Sequence, residues 1–136
     1  MTDRLTIEQR SNLMRRVRGK DTAPELLVRR LAHAAGFRFR LHRKDLPGNP
    51  DLCFPTRHKV IFVHGCFWHG HGCKIGRLPK SRLEFWQPKI ARNRERDTAA
   101  VAALATLGWR VFTVWQCQTK DRPALRQRIV EFLSAS

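Results

Sequence analysis

The sequence predicts an α/β fold, a mixed central sheet flanked by helices. Two observations carry that reading. Helical and strand periodicities follow one another in the order α-β-β-β-α-β-α, and a long helix separates the last two strands, which lets the final strand lie parallel to its neighbour. Thr22-Ala-Pro-Glu25 reads as a capping box with proline near the first helical position; Leu27, Leu31 and Ala34 follow at helical spacing, and Gly36 terminates the helix. Phe37, Phe39 and Leu41 alternate with Arg38 and Arg40, the period of a strand with one buried face. Leu46-Pro-Gly-Asn-Pro50 then turns the chain into two short β-rich runs, Asp51 to Phe54 and Lys59 to His64, joined as a hairpin. Beyond a loop rich in Gly, His and Cys, Ser81-Arg-Leu-Glu84 offers a second capping box, and Ile90, Asp97, Val101, Leu104 and Leu107 mark a long helix ended by Gly108. Trp109 to Trp115 has strand length, which assigns Trp109 and Trp115 to the core. Asp121 caps a last helix with Pro123 in its first turn and Leu125, Ile129, Phe132 and Leu133 on its buried side.

The 136 residues suit one hydrophobic core, and no repeat or linker divides them. Residues 1–20 are read as a basic arm and residues 21–136 as a single domain. In the arm, Thr6 with Gln9, or Ser11, caps a helix whose Arg15, Arg16, Arg18 and Lys20 leave little apolar surface to bury, so a partner is needed to order it. Twenty-seven Lys and Arg against 11 Asp and Glu give a formal charge of +16, more than solubility asks of a small domain. With Arg clusters in predicted helices at both ends, nucleic acid is the favoured partner over a generically basic surface. No run approaches the roughly 20 apolar residues of a membrane span, and MTDRLTIEQR lacks the apolar segment of a secretory signal. These features argue against a membrane and for the cytoplasm, where four cysteines are metal ligands or buried thiols rather than a disulfide framework.

Cys66-Phe-Trp-His69-Gly-His71-Gly-Cys73 packs two thiols and two imidazoles into eight residues, with glycines that permit the tight path converging ligands need. Cys117 follows the strand ending at Trp115 just as Cys66 follows the strand ending at His64, so parallel pairing brings both thiols to one sheet edge. Cys66, His71, Cys73 and Cys117 are therefore the expected ligands of a closed structural Zn²⁺ site. His69 rivals His71, and spacing alone does not separate them. Cys53 rivals Cys117, but inside a strand a buried thiol is the ordinary outcome.

Pro50-Asp51 opens one strand of the hairpin and Val63-His64 ends the other, so the two ends meet. A carboxylate is a hard-oxygen ligand suited to Mg²⁺, and phosphodiester cleavage uses such ions. A lone Asp after a turn is usually only a turn residue; Glu25, His64 and His69 beside a basic surface raise this one to a candidate site.

Here a resemblance becomes specific. Leu46-Pro-Gly-Asn-Pro-Asp51, Val63-His-Gly-Cys-Phe-Trp-His69, Glu84-Phe-Trp86, Asn93-Arg-Glu-Arg-Asp97 and Leu107-Gly-Trp-Arg-Val111 look like successive motifs of the very short patch repair (Vsr) endonucleases, over roughly Ser11 to Cys117. The resemblance implies a restriction-endonuclease-like core, a structural zinc and Mg²⁺-dependent nicking of duplex DNA 5′ to the thymine of a T:G mismatch. It implies that Asp51 holds the catalytic Mg²⁺, that His69 is the general base and that His64 and Glu25 support the site. The Lys of the wider nuclease motif is absent, with His64 near its place. Position 63 is Val where the family pattern has a Thr that contributes a metal ligand; Val63 keeps that role only through its main-chain carbonyl.

Phe67, Trp68 and Trp86 lie in or after polar loops, away from core-periodic positions, and are candidates to stack on bases; capping the zinc loop or filling the core is the plainer use of such rings. By resemblance Met14 presses on the DNA, while Arg15, Arg16, Lys89, Arg92 and Arg96 are candidate phosphate contacts. Mismatch-repair proteins stand as candidate partners, and a monomer is the default state. Two other classes compete: a noncatalytic zinc-dependent DNA-binding module, and a restriction endonuclease that cuts matched sites.

Overall fold

The computed structural model describes residues 22–73 and 81–135. Three helices and four strands order these residues into a mixed α/β layout: helix α1 (Ala23–Ala34), strands β1 (Arg40–Leu41), β2 (Leu52–Phe54) and β3 (Lys59–His64), helix α2 (Leu83–Thr106), strand β4 (Arg110–Trp115) and helix α3 (Arg122–Ser134). The sheet order is β1-β2-β3-β4, antiparallel across the first two pairs and parallel across the last. The hairpin and the parallel closing strand expected from the sequence are both present. The N-terminal helix expected in residues 1–20 lies outside the described residues.

Strand alternation divides the core in two. Leu52, Phe54, Ile61 and Val114 point to one face and pack with Val28 and Ala32 of α1 and Leu125, Ile129 and Leu133 of α3. Cys53, Val60 and Phe62 point to the other face, under Leu104 of α2 and Leu46. Successive residues of β2 and β3 thus serve opposite layers, and a register slip of one residue would exchange the two.

The helix ends follow local chemistry. Thr22 Oγ1 accepts from the Glu25 N–H at 3.4 Å, and Asp121 Oδ1 accepts from the Ala124 N–H at 3.2 Å, as the sequence predicts. The Ser81 to Glu84 capping box does not form: Arg82, at φ 58, sits in the cap position without a side-chain cap bond. The buried stripe of α1 is also rotated from expectation. Val28 and Ala32 are fully buried, Leu27 and Leu31 are only partly buried, and Ala34 is exposed, because α1 is covered by α3 as well as by the sheet. Val101 of α2 and Leu107 at its C-cap are exposed, so that helix buries only Ile90 and Leu104 and leaves a long polar flank open. The expected strand over Phe37 to Leu41 narrows to Arg40–Leu41; Phe37 and Phe39 instead pack at the edge of the core.

Lys59, 3 % exposed, anchors the C-terminal helix. Its Nζ donates to the Phe132 and Leu133 carbonyls at 2.6 and 3.2 Å and to that of Ala135, while Arg57 donates to Leu133 O at 3.0 Å. Two cations thereby satisfy orphan carbonyls at the negative end of α3.

Candidate active site and candidate metal centre

The antiparallel β1–β2 register, Leu41 opposite Leu52, brings the next residues, His42 and Asp51, face to face: the His42 N–H donates to Asp51 O at 3.2 Å. The β2–β3 hairpin then places Asp51 beside Val63, whose N–H donates to Asp51 Oδ2 at 2.7 Å. Gly48, at φ +76, lets this turn lie against α2; a Cβ there would stand 2.7 Å from Ala100 Cβ and 3.0 Å from the Phe62 ring. Glu25, in the first turn of α1, is 3 % exposed and turns inward to the same place. Its Oε1 lies 3.0 Å from His42 Nε2 and its Oε2 pairs with Arg29. Ligand atoms of Glu25, His42 and Asp51 all lie within 4.8 Å of one another. Burial, reinforced by the neighbouring Glu25 carboxylate, pushes the Asp51 carboxyl up to about 8. Two carboxylates crowded out of water in this way form a place where a hard divalent cation is electrostatically at home.

On the other side of the same recess His64 and His69 stack, ring centroids 3.8 Å apart and planes within 2°. His69 Nδ1 lies 2.6 Å from Asp97 Oδ2, an oxygen also 4.0 Å from His64 Nδ1. The carboxylate therefore takes the Nδ1–H of His69 and leaves Nε2 as the accepting nitrogen. Burial pulls the His64 imidazole down to about 4, with His69 as a further cause, so that it stacks as a neutral ring. Glu25, Asp51, His64, His69, Asn93 and Asp97 all line one cavity of about 420 Å³. Arg96, on the open flank of α2, lines it as well.

Two residues past the paired strand ends, Cys66 and Cys117 converge, the Cys117 N–H donating to Cys66 Sγ at 3.3 Å. Ligand atoms of Cys66, His71, Cys73 and Cys117 lie within 4.8 Å of one another. His71 Nδ1 is 3.6 Å from Cys117 Sγ. Burial, with Cys73 and Cys117 alongside, pushes the Cys66 thiol up to about 12, so a thiolate forms here only when a cation offsets the charge. Three thiols and one imidazole are the donor set of a soft tetrahedral metal site, and the residues fit that use. Cys53 is fully buried in β2 under α2, away from this group, with Arg43 donating to its Sγ at 3.6 Å.

Trp115 is not a core residue as the sequence suggested. Half-buried, it stacks on His71 at 4.2 Å and meets His64 edge-on at 5.3 Å, a wall between the sulfur cluster and the paired imidazoles. Phe67, Trp68 and Trp86 contact one another edge to face at 5.1–5.7 Å. Trp68 is 8 % exposed and its carbonyl accepts from Asn93 Nδ2 at 2.7 Å, whereas Phe67 and Trp86 are half-buried. Lys89 and Arg92 stand on α2; Lys89 Nζ lies 4.9 Å from the Phe85 ring, which itself meets Trp86 edge-on, and Arg92 Nε donates to Pro88 O at 3.5 Å. Met14, Arg15 and Arg16 lie outside the described residues.

Sequence reasoning missed His42 and gave Asp97 no role at the site. The signal for His42 was available: antiparallel pairing of the run ending at Leu41 with the run starting at Leu52 puts residue 42 opposite Asp51. Asp97 was read as one position of a helical repeat, although a carboxylate on the inner stripe of a helix calls for a partner.

Residues 2–75 match the family described as DNA mismatch endonuclease Vsr. The chain is 61 % identical over 136 residues to the type II nicking enzyme V.XorIIP of Xanthomonas oryzae pv. oryzae, covering all of both chains. It is 41 % identical over 129 residues to the type II nicking enzyme V.NmeAIP of Neisseria meningitidis, covering 95 % of this chain and 92 % of the relative. It is likewise 41 % identical over 129 residues to the DNA mismatch endonuclease Vsr of Escherichia coli, covering 91 % and 83 %. The match over more than half of the sequence and the extent of these identities establish that the chain belongs to the Vsr family of DNA mismatch endonucleases.

Proposed function

We propose that this protein nicks one strand of duplex DNA 5′ to the thymine of a T:G mismatch, with Mg²⁺ in the catalytic site and Zn²⁺ in a structural one. The observation that carries the reading is the shared cavity: two carboxylates, the buried Glu25 and the half-buried Asp51, line it together with an imidazole, His69, that is held by its own carboxylate, Asp97. On this reading the four-stranded sheet is a restriction-endonuclease-like core, residues 21–136 are the endonuclease domain and residues 1–20 are a DNA-contacting arm.

Asp51 and the Val63 carbonyl would hold Mg²⁺, with Glu25 supporting Asp51; the ion, when bound, supplies Lewis-acid stabilisation of the charge developing on the phosphate. The chain's own residues do the rest. The Val63 N–H fixes Asp51 Oδ2 at 2.7 Å where Asp51 lines the cavity. Asp97 fixes His69 so that Nε2 takes the proton of the attacking water while that oxygen bonds to phosphorus and the bond to the leaving sugar oxygen breaks. His64, neutral and stacked on His69, restrains the ring plane and favours no competing charge. Zn²⁺ on Cys66, His71, Cys73 and Cys117 would fasten the loop that carries His69 to the end of β4. Phe67, Trp68 and Trp86 would open the mismatched step, which costs less than opening a matched one. Lys89, Arg92 and the arm's Met14, Arg15 and Arg16 would contact the backbone and groove.

The test is Asp51→Ala. The variant should keep its zinc, its fold and most of its affinity for T:G duplex while losing nicking in Mg²⁺. Normal turnover would remove Asp51 from the centre of the reading, and a wild-type protein that binds T:G duplex but never cuts it would leave a noncatalytic binding module instead.

A further inference from the structure

We propose that His42 is a third protein ligand of the divalent cation held at Asp51, and that its imidazole makes this site take manganese(II) more tightly than magnesium. The proposal rests on the reading of Asp51 as the catalytic-metal ligand and goes beyond it in naming a nitrogen donor and a metal preference.

The placement of His42 is built by the backbone. It directly follows β1, opposite Asp51, with its N–H on the Asp51 carbonyl at 3.2 Å. Its φ of 48° is the left-handed conformation, uncommon for a non-glycine residue. Its side chain brings Nε2 to 3.0 Å from Glu25 Oε1. The result is one imidazole nitrogen and two carboxylates whose ligand atoms lie within 4.8 Å of one another, and both carboxylates line the cavity that holds His69. A His–carboxylate contact of this kind places both atoms where a cation can replace the shared proton. Arg29 pairs with the other oxygen of Glu25, leaving Oε1 to the His42 side.

The donor set decides the metal. Magnesium holds oxygen ligands and keeps several waters, so a nearby imidazole adds little to its binding. Manganese(II) accepts the same octahedral oxygen environment but, as a softer ion that gives up its waters more readily than magnesium, also binds imidazole nitrogen. Two carboxylates and one imidazole are a set in which manganese gains a ligand that magnesium uses poorly.

Manganese(II) is paramagnetic, so the ligand can be read directly. The zinc-loaded protein without DNA is titrated with MnCl₂, free Mn²⁺ is followed by its EPR signal, and pulsed EPR of the bound ion reports coupling to nitrogen. Competition with MgCl₂ gives the selectivity. His42→Asn is the variant of choice because Asn tolerates the left-handed backbone while removing the ring nitrogen; His42→Gly does the same with no side chain. Wild type should bind Mn²⁺ with nitrogen coupling that changes isotope pattern when its histidines are ¹⁵N-labelled. Both variants should lose the coupling, and their preference for Mn²⁺ over Mg²⁺ should fall by about ten-fold or more. Asp51→Ala should bind neither ion at this site. Nitrogen coupling that survives His42→Asn and His42→Gly, or a wild type that takes up no Mn²⁺ beside its zinc, overturns the proposal and leaves Asp51 as the metal ligand. Mn²⁺ binding that survives Asp51→Ala overturns the underlying reading of the catalytic site instead. Should both variants unfold, the ¹⁵N-labelled wild type alone decides: absence of histidine nitrogen at the bound ion is a negative result.

Discussion

Asp51→Asn should make the protein more stable while making it inert. The wild-type carboxyl is raised to about 8 in the folded chain against 3.8 unfolded, chiefly by burial and next by Glu25. For an acid raised on folding, the folded state holds its proton longer, so the cost is absent below the unfolded value and grows as pH climbs from about 4 towards 8. At pH 7 that interval spans about three pH units, or roughly 4 kcal/mol at 1.36 kcal/mol per unit, an upper figure that local relaxation reduces. Asparagine carries no charge to desolvate, and its side-chain oxygen can still accept the Val63 N–H. The variant should therefore gain about 2 to 4 kcal/mol over wild type at pH 7 without magnesium, a rise in Tm on the order of 10 °C. Urea denaturation of both proteins at pH 4, 6 and 8, with zinc retained, measures the difference. The gain should grow with pH and vanish near pH 4, and added MgCl₂ should stabilise wild type but not the variant. A variant that is equally stable or less stable at pH 8 would refute the reasoning, since it would mean that Asp51 bears its charge in the fold at no cost.

The two neighbouring histidines of the loop should fail differently: His71→Ala loses zinc and melts early, whereas His69→Ala keeps zinc and melting temperature but nicks about 10²–10⁴ times more slowly, as measured by zinc content, Tm and single-turnover rates. Cys117→Ser should lose zinc and Cys53→Ser retain it, because Cys53 lies under α2, outside the sulfur cluster. His64 should stay neutral until about pH 4 by NMR titration. Its folded value lies below the unfolded one, so the unfolded chain takes up the proton first, and stability should fall by about 3 kcal/mol between pH 6.5 and 4 in wild type relative to His64→Asn. Lys59→Met should cost about 1 to 3 kcal/mol by leaving the carbonyls of Phe132 and Leu133 short of a donor.

Much of this site was legible because strand register is arithmetic. Once the runs ending at His64 and Trp115 are read as parallel neighbours, Cys66 and Cys117 must meet, and once Asp51 to Phe54 and Lys59 to His64 form a hairpin, Asp51 must meet Val63. The same arithmetic would have found His42, but Phe37, Phe39 and Leu41 drew attention to side-chain alternation rather than to the residue just beyond it. Helix contents were harder to read. The exposed Val101 and Leu107 show that apolar spacing along α2 overstates burial, and Asp97 occupies an inner position because His69 is there to receive it. Arg82, in a left-handed cap position without a side-chain cap bond, defeats the Ser81 to Glu84 pattern. Trp115 has the sequence context of a core strand but stands at its last position, where β4 leaves the sheet and the ring turns to the histidines.

The most direct measurement compares two duplexes identical except for one base pair, T:G in one and T:A in the other, each strand separately end-labelled, incubated with excess zinc-loaded protein and MgCl₂. The account predicts a single nick immediately 5′ to the mispaired thymine, an intact opposite strand, no cleavage of the matched duplex and no reaction when magnesium is withheld. Cleavage of the matched duplex at a comparable rate, or scission of both strands, would contradict it.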